Sequence, residues 1–357
     1  MLLLGLSQAT SPDASALYER ARAAFEDGQM EEAESLARQA IEQDSSLAAA
    51  YALRGVLLDQ LGRAEEALES YLEAARLDPD DAEVHHNLCL YYNQREQYAE
   101  ALQSGRKAVE LNPLNSDSFN NLGRAALKLG EFEEARSALR KALEIDPTSM
   151  SAHYNLSLVL AEQARVAEAV EELEFAYQAA QQASDEYRSQ WVVEVSKRLL
   201  NRYPGDGAVW RVHRLLGRIY YDRGRHGSAI PHLKIAAERR DFFSLLHLGT
   251  CYKNKALAQE AIEALRQAVR LRPDNYQAHN ELGHTLGMLN EDWGAAEREF
   301  RAALEHQPDS PEVNYNLAYA LFRLQHYGQA RQQFQETFRL KPEMADSEHY
   351  KELQFPE

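Results

Sequence analysis

Alanines stand at Ala33, Ala67, Ala101, Ala135 and Ala169, four equal steps of 34 residues. After a gap of 60 the series resumes at Ala229, Ala261, Ala296 and Ala330, with steps of 32, 35 and 34. Two more series of small residues keep the same register. One passes through Ala21, Gly55, Cys89, Gly123, Ser157, Gly217, Gly249, Gly283 and Ala318. The other runs from Ala40 through Ala74, Ala108, Ala142, Ala176, Ala236, Ala268 and Ala303 to Thr337. A chain that repeats itself this way is built from stacked supersecondary units, not around one globular core. Small side chains at fixed places let neighbouring helix backbones come close.

The unit is clearest at Ser116 to Ser149, SDSFNNLGRAALKLGEFEEARSALRKALEIDPTS. Phe119, Leu122, Ala126 and Leu129 share one face of a first amphipathic helix. Gly130 ends it, and the stretch from Glu131 to Glu134 places carboxylates on the first turn of a second helix, where the helix dipole favours them. Ala135, Leu139, Ala142 and Leu143 form the second apolar face, and Pro147 closes the unit. Prolines close other units at Pro79, Pro113, Pro273, Pro308 and Pro342. Such a pair buries too little surface to stand alone and needs neighbours of its own kind.

This pattern resembles the tetratricopeptide repeat family, whose 34-residue helix-turn-helix unit shows aromatic–x2–Leu-Gly–x2–Tyr, then Ala, Phe, Ala and Pro. The match recurs nine times over roughly residues 14 to 343, with one interruption. Departures are mild: His85, His153, His213 and His279 replace the usual aromatic, and Arg54 the usual Leu. The resemblance implies an all-α, right-handed superhelix of antiparallel helix pairs, with first helices on the inner wall and second helices outside.

The expected organisation is a tail over 1–13, repeats one to five over 14–183, an inserted helix over 184–209, repeats six to nine over 210–343, and a capping tail over 344–357. The gap of 60 residues exceeds one period by 26. Within it Tyr187, Trp191, Val195 and Leu199 lie four apart, predicting an amphipathic helix from Asp185 to Arg202 with Trp191 and Val195 buried. It either packs between two blocks of repeats and bends them, or is a degenerate repeat without consequence. The tail MLLLGLSQATSPD reads two ways, as a frayed cap or as the end of a signal peptide that starts upstream. Compartment therefore stays open between the cytoplasm and an exported or periplasmic location.

Several function classes are disfavoured. A formal charge of -17 repels a phosphate backbone, so no nucleic-acid partner is expected. No stretch reaches the length of a membrane span. Cys89 and Cys251 fall four repeats apart and read as packing residues, not as a disulfide. Twelve histidines give no metal-ligand spacing: HNELGH sets His279 and His284 five apart, and His279 fills an ordinary packing place. Neither cofactor nor metal is expected, nor is enzyme activity. The fifteen residues after Pro342 are too few for the glycosyltransferase carried by some long arrays of the family.

The resemblance directs positions 2, 5, 6, 9, 12 and 13 of each first helix to the groove. Position 6 reads Asn87, Asn121, Asn155 and Asn316. Asn is a mediocre helix former, and its amide matches the backbone of an extended peptide. Similar asparagine ladders line O-linked N-acetylglucosamine transferase. The competing reading is that these amides bond an adjacent repeat or water. Arg211, Arg214 and Arg218 follow i, i+3, i+7 on one helix face and suit an anion or carboxylate, unless salt bridges to neighbouring helices absorb them. Asn120, Arg124 and Lys128 could extend this wall. The family's carboxylate clamp for chaperone tails is not expected. Repeats two to four offer Ala52 and Val56, then Asn87, then Asp117 and Asn121, so most of its charge is absent, and the insertion splits Asn120, Arg124 and Asn155 from Arg211.

The reading is a non-enzymatic scaffold that binds an extended peptide or partner protein along the concave groove, through Asn87, Asn120, Asn121, Arg124, Asn155, Arg211, Arg214, Arg218 and Asn316. The arginines suggest an acidic partner; oligomeric state stays open. The alternative is an accessory subunit of an enzyme or export assembly, acting through its outer face and the inserted helix.

Overall fold

What permits each helix pair to close is a size match at one place. A Cβ added to Gly123 would lie 2.5 Å from Leu139 Cγ, and one on Gly249 would lie 2.4 Å from Leu265 Cγ. Gly55 meets Tyr71, Gly217 meets Leu233 and Gly283 meets Phe300 in the same way. The eighth residue of a repeat is thus small because a large residue of the second helix is seated on it. One unit inverts the pair: Cys89 holds the first-helix place and Gly105 the other, where an added Cβ would lie 3.1 Å from the Cys89 Sγ.

The computed structural model describes residues 12–346 with Leu353 and Phe355. The tail expected over 1–13 lies outside them except for its last two residues, which open the first helix. Among the described residues every regular element is helical. The chain divides into two compact units, with the boundary between Val192 and Val193.

Unit 1 stacks five pairs: α1 (Pro12–Glu26) with α2 (Met30–Gln43), α3 (Ala48–Gln60) with α4 (Ala64–Leu77), α5 (Ala82–Gln94) with α6 (Tyr98–Leu111), α7 (Ser116–Leu129) with α8 (Phe132–Ile145), and α9 (Met150–Glu162) with α10 (Val166–Gln182). The boundary falls inside α11 (Glu186–Arg202). Unit 2 holds four pairs: α12 (Val209–Asp222) with α13 (His226–Ala237), α14 (Phe242–Asn254) with α15 (Ala258–Leu271), α16 (Tyr276–Met288) with α17 (Trp293–His306), and α18 (Pro311–Arg323) with α19 (Tyr327–Leu340). A 3-10 turn, Pro342–Asp346, follows. Phe355 then packs its ring on Phe322, Phe334 and Tyr327 of the last pair.

Within each unit successive first helices touch, α1 to α3 to α5 to α7 to α9 and α12 to α14 to α16 to α18. The backbones of successive second helices stay farther apart, and these helices meet through side chains, as where Arg106 of α6 donates to Glu134 of α8 at 2.7 Å. The helices that approach most closely line the inside of a curved stack, so the first helices make each unit's inner wall. Ala33, Ala67, Ala101, Ala135 and Ala169 are fully buried, as are Ala229, Ala261, Ala296 and Ala330. This is the all-α solenoid implied by the resemblance.

Capping follows the same register. Asp81, Asn115 and Ser149 in unit 1, and Asp241, Asn275 and Ser310 in unit 2, accept backbone N–H groups at the start of first helices. Every turn inside a pair contains one left-handed residue. Gly28, Gly62, Gly130 and Gly224 supply it without strain, but Glu96, Ala164, Ala256, Glu291 and Gln325 also adopt φ between 55° and 65°.

Four departures from the usual pattern have local partners. Arg54 Nε donates to Glu34 Oε1 at 3.0 Å and its Nη1 to Ser70 Oγ at 3.3 Å. His153 and His279 each reach back to a proline carbonyl, Pro147 at 3.1 Å and Pro273 at 2.9 Å. Their other ring nitrogens meet Glu172 at 2.6 Å and Glu299 at 2.7 Å. His213 pairs instead with His232, Nδ1 to Nδ1 at 2.8 Å. These imidazoles tie second helices to first ones. Cys89 and Cys251 are buried free thiols, each pushed up to about 12 by burial.

Two expectations need correction. Leu129, assigned to an apolar face, is 42 % exposed; it is the last residue of α7, beside the turn into α8. Trp191, expected to be buried, is half-buried, its ring between Tyr154 at 5.4 Å and Tyr187 at 5.6 Å. Val192, Val195 and Leu199 carry the buried face of α11.

Candidate functional site

Groove positions count from the first residue of each repeat, so position 6 sits one turn in. In unit 1, Asn155 Nδ2 donates to Asn120 Oδ1 at 2.9 Å, joining α9 to α7. In unit 2, Asn316 Nδ2 makes the same 2.9 Å bond to Asn280 Oδ1, joining α18 to α16. A position-6 amide therefore bonds the position-5 amide of the preceding repeat. The bond fixes the amide plane and consumes one donor and one acceptor, leaving three N–H groups and three lone pairs on each pair. Asn121 and Asn155 are each only 8 % exposed, whereas Asn87, Asn120 and Asn316 are half-buried. Asn121 also receives, at its backbone carbonyl, a 2.9 Å bond from the Asn93 side chain, which ties α5 to α7. Arg124 is half-buried on α7 and lies within electrostatic reach of Cys89.

The arginines of α12 are half-buried and have carboxylates nearby. Arg214 Nη1 lies 3.6 Å from Asp241 Oδ1, and Arg218 Nε lies 3.6 Å from Asp222 Oδ2. The guanidinium groups of Arg211 and Arg214 stand 5.7 Å from the Trp210 ring centroid. Asp222 and Asp241 thus offset part of the stripe's positive charge.

Each unit carries a hollow on its inner wall. The one in unit 1, about 370 Å³, lies among α1, α3 and α5, with Tyr18, Arg22, Ala52, Val56, Glu83 and Asn87 in its lining. The one in unit 2, about 400 Å³, lies among α12, α14, α16 and α18, lined by Tyr221, His247, Thr250, Asn280, Glu281 and Glu312, among others. Both draw most of their walls from positions 2, 5, 6, 9 and 12. A roomier hollow of about 750 Å³ has α8 as its main wall, with charges of both signs from Glu133 to Glu144. It belongs to the second-helix side.

The unit 2 wall is electrostatically dense. Lys253 Nζ donates to Glu281 Oε2 at 2.7 Å. His247 stacks on Tyr221, centroids 4.4 Å apart. Burial pushes the His247 imidazole below its ordinary value, against the pull of Asp222. Burial and then Lys253 do the same to His284, whose Nδ1 is buried without a hydrogen-bond partner. Sequence reasoning missed Tyr18, Glu83, His247, Thr250 and Glu281. All occupy groove positions, but His247 and Thr250 are unique at theirs, and Tyr18, Glu83 and Glu281 recur too sparsely, as Tyr154 and Tyr315, Glu312 and Glu19, to stand out as the asparagines did. Among the described residues no cluster of His, Cys, Asp or Glu could hold a metal, and no helix is long and apolar enough to cross a membrane.

Sequence profiles described as tetratricopeptide repeat match residues 6–48, 87–149 and 120–184, another matches 244–275 and a third 287–354; a TPR repeat profile matches 58–94. The chain belongs to the tetratricopeptide repeat family, whose members serve as protein-interaction scaffolds. No curated protein matches it by sequence. Among solved structures it is similar to YrrB, described as a TPR protein with an unusual peptide-binding site. That likeness is 23 % identical with a TM-score of 0.45, over 53 % of this chain and 100 % of that one. It is also similar to MamA, residues 41 to the end, from Desulfovibrio magneticus RS-1. Here identity is 18 % and the TM-score 0.45, over 49 % of this chain and 98 % of that one.

Proposed function

We propose that this scaffold is non-enzymatic and holds an extended segment of a partner protein along the first-helix wall. The observation that carries the reading is that each unit's inner wall opens a hollow lined by groove positions, with a fixed amide pair at or beside its edge in unit 2 and Asn87 inside it in unit 1. Asn87, Asn120 and Asn316, being half-buried, are the amides placed to meet a main chain, while Asn121 and Asn155 chiefly set the wall's spacing. Arg124 in unit 1, and Arg211, Arg214 and Arg218 in unit 2, provide cations for acidic side chains of the segment. A neutral hydrogen bond gives about 1 kcal/mol and a charge-assisted one about 1.5–3 kcal/mol, so the amides give tolerance and the arginines selection.

The test is binding of a partner purified from the native source to Arg214→Glu, Asn121→Ala and Tyr187→Ala proteins. Arg214→Glu should weaken an acidic partner most, and added salt should weaken it further. Equal binding to both wall variants with no salt response removes the wall from the interaction. Loss confined to Tyr187→Ala selects the other reading, docking through the inserted helix, where Tyr187 is 74 % exposed.

A further inference from the structure

Position 5 of the first helices carries Tyr18, His86, Asn120, Tyr154, Arg214, Leu246, Asn280 and Tyr315 in eight repeats, and Ala52 in the remaining one. The two cross-repeat amide bonds both need an asparagine there, Asn120 for Asn155 and Asn280 for Asn316. Behind Asn87 stands Ala52, so Asn87 has no such bond, and both residues line the unit 1 hollow. Its floor is aliphatic, made by Ala49, Ala52, Leu53 and Val56.

Its rim is acidic. Glu26, Asp81 and Glu83 face a single cation, Arg22, which lies 3.3 Å from Glu19 and 3.8 Å from Glu26. Asp81 Oδ1 caps α5 by accepting from the backbone of Glu83 at 2.8 Å and of Val84 at 3.3 Å. Tyr18, across the hollow on α1, feels this field. Burial first, then the carboxylates of Glu19, Glu83 and Asp81 against the opposing Arg22, raise its phenol above the ordinary value.

We propose that this hollow is a specificity pocket of unit 1, taking an aliphatic side chain of a bound segment that carries a lysine or arginine beside it. The proposal rests on the reading that the first-helix wall holds an extended segment. The aliphatic side chain fills the space over Ala52, the cation meets Glu83 and Asp81, and the Asn87 amide bonds the segment's main chain. An acidic side chain at the flanking place meets like charge and is rejected. This hollow thereby selects a chemistry opposite to the one that Arg124 and the arginines of α12 suit.

The test uses the full chain and an array of labelled ten-residue peptides with a central Leu-Lys, Leu-Arg, Leu-Glu, Ala-Lys or Ser-Gly pair. Leu-Lys and Leu-Arg should bind about tenfold more tightly than Leu-Glu or Ala-Lys. Ala52→Asn rebuilds the amide pair found in two other places and puts a polar side chain on the aliphatic floor beside Asn87, and should abolish this preference while leaving the helical circular-dichroism spectrum unchanged. Glu83→Lys, on an exposed side chain, should shift preference towards Leu-Glu. Overturning results are an array without selection at the central pair, or Ala52→Asn protein binding Leu-Lys as the parent does. If Ala52→Asn has no effect while a native partner still protects first helices from exchange, the pocket fails and the wall reading stands. If no first helix is protected, the wall reading itself fails.

Discussion

Gly123→Ala makes the packing logic of the repeat measurable. In an open helix this change would stabilise by about 0.8–1.0 kcal/mol, because glycine is the poorer helix former. Here the new Cβ would lie 2.5 Å from Leu139 Cγ, 2.9 Å from Leu139 Cδ2 and 3.3 Å from the Ala135 carbonyl oxygen. Carbon pairs are comfortable at about 3.5–4.0 Å, and Leu139 is wholly buried, so it cannot swing into solvent. Overpacking of this kind costs about 1–3 kcal/mol. The net effect should be a loss of roughly 0–2 kcal/mol. Leu139→Ala alone should lose about 2–5 kcal/mol through its cavity. In that background the Cβ of Gly123→Ala no longer meets Leu139 Cγ or Cδ2, and the change should stabilise by up to about 1 kcal/mol. A reversal of sign between backgrounds is therefore the expected signature. Repeat arrays need not unfold in one step, so the readout is native-state hydrogen exchange of α7 and α8 amides, not a global melt. The same sign in both backgrounds would refute the size match as the constraint on the repeat.

Other outcomes follow from the same contacts. Gly130→Ala should destabilise the α7–α8 turn by about 1–2 kcal/mol, and Ala164→Gly, the equivalent place one unit on, should be neutral or stabilising by up to about 1 kcal/mol, both read by local exchange. Glu34→Ala should cost about 2–3 kcal/mol by leaving the half-buried Arg54 without its main carboxylate, while the double change of Glu34 and Arg54 to leucine should cost far less in denaturant titration. His232 is held down to about 4 by burial, then by His213 and Lys197. Its folded value lies below the unfolded one near 6.5, so its contribution to unit 2 is present above about pH 6.5 and lost as pH falls towards 4. His232→Phe, which keeps a ring against Tyr220, should flatten exchange rates over that window relative to the parent.

The helix pairs were legible because small residues recur at fixed intervals, and a steric requirement repeated nine times leaves a pattern that a single occurrence would not. Requirements met by different residues left none. The left-handed turn residue is Gly130 in one unit, Ala164 in the next and Glu96 in another, since the backbone there is imposed by the two packed helices. The exchange of Cys89 with Gly105 hid the size match in that unit, because each residue alone looks unremarkable. Arg54 read as a blemish until Glu34 and Ser70 were found against it, twenty and sixteen residues away in sequence. At the wall, the recurring asparagines stood out, but what each one bonds depends on the residue behind it in the preceding repeat. Asn155 has Asn120 there and is nearly buried; Asn87 has Ala52 and lines a hollow. The residues that differentiate one hollow from the other, such as His247 and Thr250, do not recur at their positions, so periodicity could not find them.

The most direct test of the central claim is a hydrogen-exchange footprint of the full chain with and without a native partner. The inner-wall account predicts added protection on first helices, strongest in α3, α5, α16 and α18 around the two hollows, with the second helices unchanged. Protection confined to second helices such as α8, or to α11 alone, would contradict it.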